Sequence, residues 1–253
     1  MKKLLAILVL AVILLSTVSC GGSKVTVNLG GGTIDSAYVE NADFEDMIAS
    51  IPTKEGYEFA GWYSDAAFTD YIDPARITKA QEKEGRAFAK WIQVEEQVYN
   101  VRKDEISITD DGADKQTLDK VRLSEHYNLT DLKRAGYRSF KLEISFECAE
   151  KDDGYQYIHL YKSQNRKSTD FSVSGFLGEY VFGEDQSDPE MIDTYKFEID
   201  PGVVGNQWRK VVYETVIDIG SLKDDLYICG SASGNDSDTW YNRNLVVVVT
   251  PTK

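Results

Sequence analysis

The chain has 253 residues, of which 42% are hydrophobic and 11% aromatic, and this composition excludes an intrinsically disordered protein. Its 28 Lys and Arg residues stand against 42 Asp and Glu residues, so nucleic acid and anionic lipid surfaces would repel it. Fifteen tyrosines, with many Val, Ile and Thr residues, favour strands over helices, and the length allows one large or two modest domains.

Residues 1–19 have the pattern of an export signal. Lys2 and Lys3 form a positive start, and residues 4–15 are an unbroken apolar run. A helix of this run would span about 18 Å, whereas the hydrocarbon core of a bilayer is about 30 Å thick. We therefore expect a cleaved signal rather than a permanent membrane helix.

The segment Thr17-Val18-Ser19-Cys20 resembles a bacterial lipobox, although Thr17 stands where that family usually has an aliphatic residue. The resemblance implies attachment of diacylglycerol to the sulfur of Cys20, cleavage after Ser19 and acylation of the new N-terminus, as with palmitate. Residues 20–23 would then be a lipidated tether on the extracytoplasmic face of a bacterial cell membrane. The alternative is an ordinary secretory signal with an incidental cysteine.

Residues 24–93 predict a compact module. An alternating strand, Lys24 to Leu29, precedes a turn of three glycines. A short helix is expected to begin at the cap Asp43 and to end before Pro52. Two further strands follow, in GYEFAGWY and in GRAFAKWI, with a polar insert at residues 79–85 between them.

Three parts of this module carry a family resemblance: Gly31-Gly32-Thr33, the block from Gly56 to Tyr63 with Pro52 before it, and Ala89-Lys90-Trp91. They resemble the Listeria–Bacteroides repeat, also called the internalin-type B repeat. The resemblance implies a small β-grasp-like fold on a bacterial surface that acts as a spacer or adhesion module. We expect Trp62, Tyr63 and Trp91 to serve core and rim packing rather than ligand binding.

Residues 98–253 predict an antiparallel β-sandwich, jelly-roll-like, so the whole chain is expected to be mainly β. The segment SFKLEISFECAE alternates strictly, and with DDGYQYIHLYK it suggests a hairpin. Further strands are expected in TYKFEID, WRKVVYETVIDIG, DDLYICGSAS and NRNLVVVVT, the last of them central. One or two helical turns are expected here, with Thr130 as the cap and Gly136 as the stop.

Cys148 and Cys229 both fall in predicted strands of this second domain. An exported chain can oxidise them, so a buried Cys148–Cys229 disulfide and two separate core thiols are both open.

A stripe of aromatic side chains is expected to face outward from one strand: Tyr155, Tyr157, His159 and Tyr161. Such a stripe can stack on sugar rings or meet a protein partner. Cross-strand packing beneath a loop is the alternative.

The segment from Gly234 to Tyr241 combines acidic and aromatic residues in an expected loop. Asp236 and Asp238 are candidate ligands for a structural calcium ion, and Trp240 and Tyr241 are candidates for a binding rim. A solvated turn is the alternative for the acidic residues.

No catalytic signature is present in the sequence: there are two histidines and no Gly-x-Ser-x-Gly elbow. We therefore expect no catalytic residue, no cofactor beyond the calcium ion, and a lipid-anchored surface protein with a non-catalytic binding, adhesion or display role. The expected partners are the membrane, through the anchor, and a glycan or a host or bacterial surface protein. A glycan-degrading enzyme on the sandwich and a purely architectural spacer remain alternatives.

Overall fold

The computed structural model describes residues 16–18, 25–35, 43–109, 118–150, 154–162, 191–198, 208–234 and 239–253. Two compact units divide the chain. The first unit consists of Met1–Val94 together with Thr130–Gly136, and the second of Glu95–Leu129 together with Tyr137–Lys253. A short segment of the later sequence therefore belongs to the first unit.

The first unit contains a five-stranded mixed sheet with the strand order β1-β2-β5-β3-β4. Its strands are β1 (Ser16–Val18), β2 (Val25–Asn28), β3 (Glu58–Tyr63), β4 (Tyr71–Ile72) and β5 (Arg86–Ile92). Strands β2 and β5 run parallel, and the other pairs are antiparallel. Strand β1 lies within the expected signal segment and pairs with β2.

Helix α1 (Phe44–Ala49) begins as predicted at Asp43, whose side chain accepts a hydrogen bond from the backbone N–H of Asp46 at 2.9 Å. Helix α2 (Lys79–Glu84) forms where the sequence suggested only a polar insert. Thr78 and Gln81 form a capping box at its start, and Gly85 ends it in the left-handed conformation, with φ of 57°.

The core of the first unit lies between α1 and the sheet. Trp62 is 1% exposed, and its indole N–H donates to the carbonyl of Ser50 at 3.0 Å. The buried apolar residues that surround it are Phe44, Met47, Ile48, Ile72, Ala87 and Ala89. The packing role predicted for Trp62 is therefore confirmed. Tyr63 is also buried, at 2% exposed, as the prediction of packing requires.

The glycine turn has a steric reason. Gly30 and Gly31 have φ of 55° and 84°, values that favour glycine. A Cβ atom on Gly32 would lie 2.3 Å from Cζ2 of Trp91. The Trp91 indole packs against this turn and donates to the carbonyl of Leu29 at 2.7 Å, so the turn and the strand that ends the module are fitted to one another.

The second unit contains two antiparallel sheets, and the chain is mainly β as predicted. The four-stranded sheet has the order β11-β10-β13-β8, and the five-stranded sheet combines β12-β9-β14-β6 with β7, which pairs with β14. The strands are β6 (Gln97–Arg102), β7 (Ile106–Thr109), β8 (Leu118–Val121), β9 (Ser139–Glu150), β10 (Gly154–Tyr161), β11 (Met191–Glu198), β12 (Arg209–Asp218), β13 (Leu226–Gly234) and β14 (Thr239–Thr252).

Strand β9 buries the face that its alternation predicted. The side chains on this face are at most 2% exposed: Phe140, Leu142, Ile144, Phe146 and Cys148. The predicted hairpin with β10 is wrong. Strand β9 pairs with β12 and β14, whereas β10 pairs with β11 and β13. Both edges of each strand are therefore already occupied by other partners.

Two short helical segments connect β8 to β9. Leu123–Glu125 is a 3-10 turn, and helix α3 (Leu129–Arg134) follows it. Thr130 lies inside α3 rather than capping it, and Gly136 follows the helix with φ of 91°. Residues 130–136 belong to the first unit, although their neighbours on both sides belong to the second.

Candidate functional site

The outer face of the five-stranded sheet, opposite the core, exposes aliphatic side chains. Val98 on β6 is 58% exposed, and Val212 and Val216 on β12 are 44% and 65% exposed. Val246 and Val248 on β14 are half-buried on the same side. We call these five residues the valine face.

The strand register explains why these valines share one side. Val212 is paired with Ser145 of β9, and Ser145 is paired with Val246. Val248 is paired with Val98. Because directly paired residues of a sheet point to the same side, the valines flank the outward residues of β9. The face therefore has two apolar margins with a polar strip between them.

Ion pairs fix the polar strip. Lys141 Nζ lies 3.2 Å from Glu214 Oε2 of β12, and Arg243 Nε lies 2.6 Å from Glu147 Oε2. The hydrogen bond from Arg243 lowers the pKa of Glu147 below its usual value, so this carboxylate is ionised at neutral pH.

Trp208, just before β12, extends this arrangement. The Arg243 guanidinium lies 3.9 Å from the centre of the Trp208 ring, in cation–π stacking geometry. Arg243 thus joins an indole to a carboxylate at one end of the valine face. The sequence places Trp208 only in a predicted strand, because no local pattern identifies Arg243, 35 positions later, as its partner.

The predicted aromatic stripe on β10 is only partly described. His159 and Tyr161 are 1% and 2% exposed, so the expectation that they face outward is wrong. Strand β10 lies between two other strands, and its successive residues Ile158 to Tyr161 are all buried, which shows that both of its faces are covered there. These two residues offer no ring to a ligand.

Tyr155 and Tyr157 are described by their backbone register alone. Tyr155 is paired with Glu198 and Ser233, and Tyr157 with Lys196 and Ser231. Their binding role stays a prediction.

Trp240 and Tyr241 lie in strand β14 rather than in a loop. Trp240 is paired with Ile108 and Glu150, and Tyr241 is half-buried. The expected loop rim is therefore wrong for these two residues, since the central strand begins at Thr239, before them.

The candidate calcium ligands Asp236 and Asp238 and the lipidation site Cys20 lie outside the described residues. Within the described ranges, no group of three or more His, Cys, Asp and Glu residues is arranged to hold a metal ion.

Cys148 is a buried thiol in β9 of the five-stranded sheet. Cys229 belongs to β13 of the four-stranded sheet. The two cysteines therefore belong to different sheets of the second unit, and the disulfide and the pair of separate thiols both stay predictions.

A comparison against protein-family models finds a match within the first unit. Residues 24–81 match the Listeria-Bacteroides repeat domain. We call strands β2 to β5 with helices α1 and α2 the repeat domain. Trp62 and the glycine turn, which carried the sequence resemblance, are packing residues of this repeat domain. The match indicates a bacterial protein associated with the cell surface.

Solved structures resemble the chain only weakly. The infectious bursal disease virus Gt strain structure is 13% identical with a TM-score of 0.32, and 64% of this chain covers 34% of that one. Dimeric latent PorU from Porphyromonas gingivalis is 11% identical with a TM-score of 0.34, and the match covers 64% of this chain and 13% of that chain. The chain therefore spans about a third of the first and less of the second. No curated protein matches.

Among the described residues, the helices are too short or too polar to cross a membrane.

Proposed function

We propose that this is a lipid-anchored bacterial surface protein that binds a protein partner through the valine face, without catalysis. The exposure of Val98, Val212 and Val216 is the observation that supports this role. Scattered apolar residues are ordinary on protein surfaces, but these three share one side of one sheet with two further valines. Burying such a face against a partner is favourable.

The chemistry of the face favours a protein over a glycan. Sugar rings stack on exposed aromatic rings, whereas the exposed large side chains of this face are aliphatic. The aromatic residue at its end, Trp208, already stacks on Arg243. A protein surface can cover the valines and meet the paired charges of the polar strip at the same time.

Lipidation of Cys20 is tested by metabolic labelling with an alkyne fatty acid. We expect label on the wild-type chain and none on Cys20→Ala, because a thioether to diacylglycerol needs that sulfur. Cys148→Ala is the matched control, since its thiol is buried in the sheet and should not affect labelling. Equal label on wild type and Cys20→Ala would refute the anchor.

The binding role is tested by charge substitution on the face. Val216→Lys and Val98→Lys should each weaken capture of surface proteins from intact bacteria or host cells at least tenfold, because each buries an unpaired ammonium group in the interface. Ile51→Lys is the control, since Ile51 is 77% exposed but belongs to the first unit.

The readout is quantitative mass spectrometry of cross-linked partners, with a glycan array run in parallel. Partners that wild type and Ile51→Lys retain, and that both valine variants lose, would support the proposal. Identical retention by all four proteins, or glycan binding that survives in both valine variants, would refute it.

A further inference from the structure

Helix α3 contributes a buried carboxylate to the first unit. Asp131 is 5% exposed and Leu132 is 2% exposed, although α3 has only six residues. A buried carboxylate destabilises a fold unless it is paired. The groups that pair Asp131 therefore show what this helix is built to contact.

The partners of Asp131 come from the sheet of the repeat domain. Lys90 Nζ of β5 lies 2.7 Å from Asp131 Oδ2. The hydroxyl of Tyr63, from β3, lies 3.5 Å from Asp131 Oδ1, at the outer limit of a hydrogen bond. A cation and a hydroxyl on neighbouring strands thus converge on one carboxylate.

Arg134, three residues later, contacts the aromatic side chains beside this pair. Its guanidinium lies 3.8 Å from the centre of the Tyr71 ring and 5.5 Å from that of Tyr63, and it donates to the Tyr63 hydroxyl. Its NH1 also lies 3.8 Å from Asp131 Oδ1. Residues three apart on a helix share one side, so Asp131 and Arg134 can face the sheet together.

The sheet side of this contact is already arranged by its own packing. Tyr63 meets Phe68 and Tyr71 edge to face, with ring centres 5.5 and 5.6 Å apart. Lys90 lies over the Tyr63 and Phe68 rings at 5.3 and 5.8 Å. We call Tyr63, Phe68, Tyr71 and Lys90 the aromatic cradle.

We propose that the aromatic cradle is a docking surface for a short helix that carries an aspartate and an arginine three residues apart. In this chain α3 fills the cradle, so the repeat domain depends on residues 130–136 for its stability. The carboxylate is recognised by Lys90, and the guanidinium by the Tyr71 ring. The family match ends at residue 81, before Lys90 and long before α3, so it covers less than the folding unit.

Hydrogen exchange in the full chain tests this dependence. Asp131→Ala should speed amide exchange in Glu58–Tyr63 and Arg86–Ile92 about tenfold, because it removes the ion pair with Lys90 and a charge-assisted contact with the Tyr63 hydroxyl. Glu125→Ala is the matched control. It removes the same charge from another i,i+3 pair, Arg122–Glu125, whose side chains are 64% and 55% exposed, and we expect less than a twofold change from it.

A charge exchange keeps the proposal testable if Asp131→Ala fails to fold. The double variant Lys90→Asp/Asp131→Lys should exchange more slowly in both segments than either single variant, because it restores the opposite charges. Exchange should also be independent of protein concentration, as expected for a helix docked within its own chain.

Three results would overturn the proposal. The first is exchange in Asp131→Ala within twofold of wild type. The second is a double variant no better protected than both single variants. The third is protection that rises with protein concentration, which would mean that the cradle takes α3 from a second copy.

Discussion

Replacing Trp62 with alanine is expected to destabilise the repeat domain by about 3–5 kcal/mol, the usual cost of deleting a buried aromatic side chain. Trp62 is 1% exposed and packs among the residues of α1 and β5. Its removal also leaves the carbonyl of Ser50 without its indole donor. A domain of this size has a stability of that same order, so the variant should be largely unfolded there at 37 °C.

Urea denaturation, followed by hydrogen exchange within Glu58–Tyr63, measures this loss. Trp62→Phe should lose less, because it keeps most of the buried ring. Tyr57→Ala is the control, since Tyr57 is 38% exposed. A midpoint for Trp62→Ala that equals that of Tyr57→Ala would contradict the assigned core.

The second large effect is expected at the ion pair between Arg102 of β6 and Asp119 of β8. Arg102 NH2 lies 3.4 Å from Asp119 Oδ2, and both side chains are 13% exposed. Arg102→Met should destabilise the second unit by about 3 kcal/mol at pH 7, because it leaves a buried carboxylate without its cation. Arg86→Met is the control, since its pair with Glu84 is 55% and 50% exposed.

The loss should depend on pH with a definite sign. Burial raises the pKa of Asp119, and Arg102 opposes that rise. Without Arg102 the folded-state pKa rises further above the unfolded value, so the folded state binds the proton more tightly than the unfolded state. The destabilisation caused by Arg102→Met is then complete at pH values above the pKa of Asp119 in the folded variant. It decreases as the pH falls towards about 4.

The measurement is the difference in free energy of unfolding between wild type and Arg102→Met at pH 7.5 and pH 4.5. A difference that is equal or larger at pH 4.5 would refute the pairing. The double variant Arg102→Met/Asp119→Leu should recover most of the stability, because an apolar pair replaces the buried charges. Within the described residues, Nε and NH1 of Arg102 are buried without hydrogen-bond partners, and the double variant removes that cost as well.

Local sequence patterns correctly predicted the features that depend on interactions between residues close in sequence. The alternation of β9 identified its buried face, and the side chain of Asp43 identified the start of α1. Helix α2 was not predicted, because its polar residues suggested a loop. Thr78 and Gln81 nevertheless have the sequence pattern of a capping box. That signal was present in the sequence and could have been used.

Long-range pairing was not predictable in the same way. Alternation states which side of a strand is buried, but it does not name the neighbouring strands, and the expected β9–β10 hairpin failed for that reason. His159 and Tyr161 looked like outward residues because alternation assumes that one face meets water, whereas both faces of β10 are covered there.

The candidate site could not be predicted from the sequence either. Strand β12 offers two partly apolar sets, one with Val211 and Tyr213 and the other with Val212 and Val216, and composition does not decide which set faces the core. Asp131 reads as an ordinary surface residue of a short helix until Lys90, 41 positions earlier, is placed beside it.

Strand β14 has a consequence for the timing of folding. It pairs with β6, β7 and β9, and in the described sheet β6 is joined to β9 only through it. Its partners in β6 precede it by about 150 positions, and closing so long a loop is slow. A ribosome must release residues 239–252 before this sheet can close, so β6 and β9 stay unjoined until β14 has been synthesised.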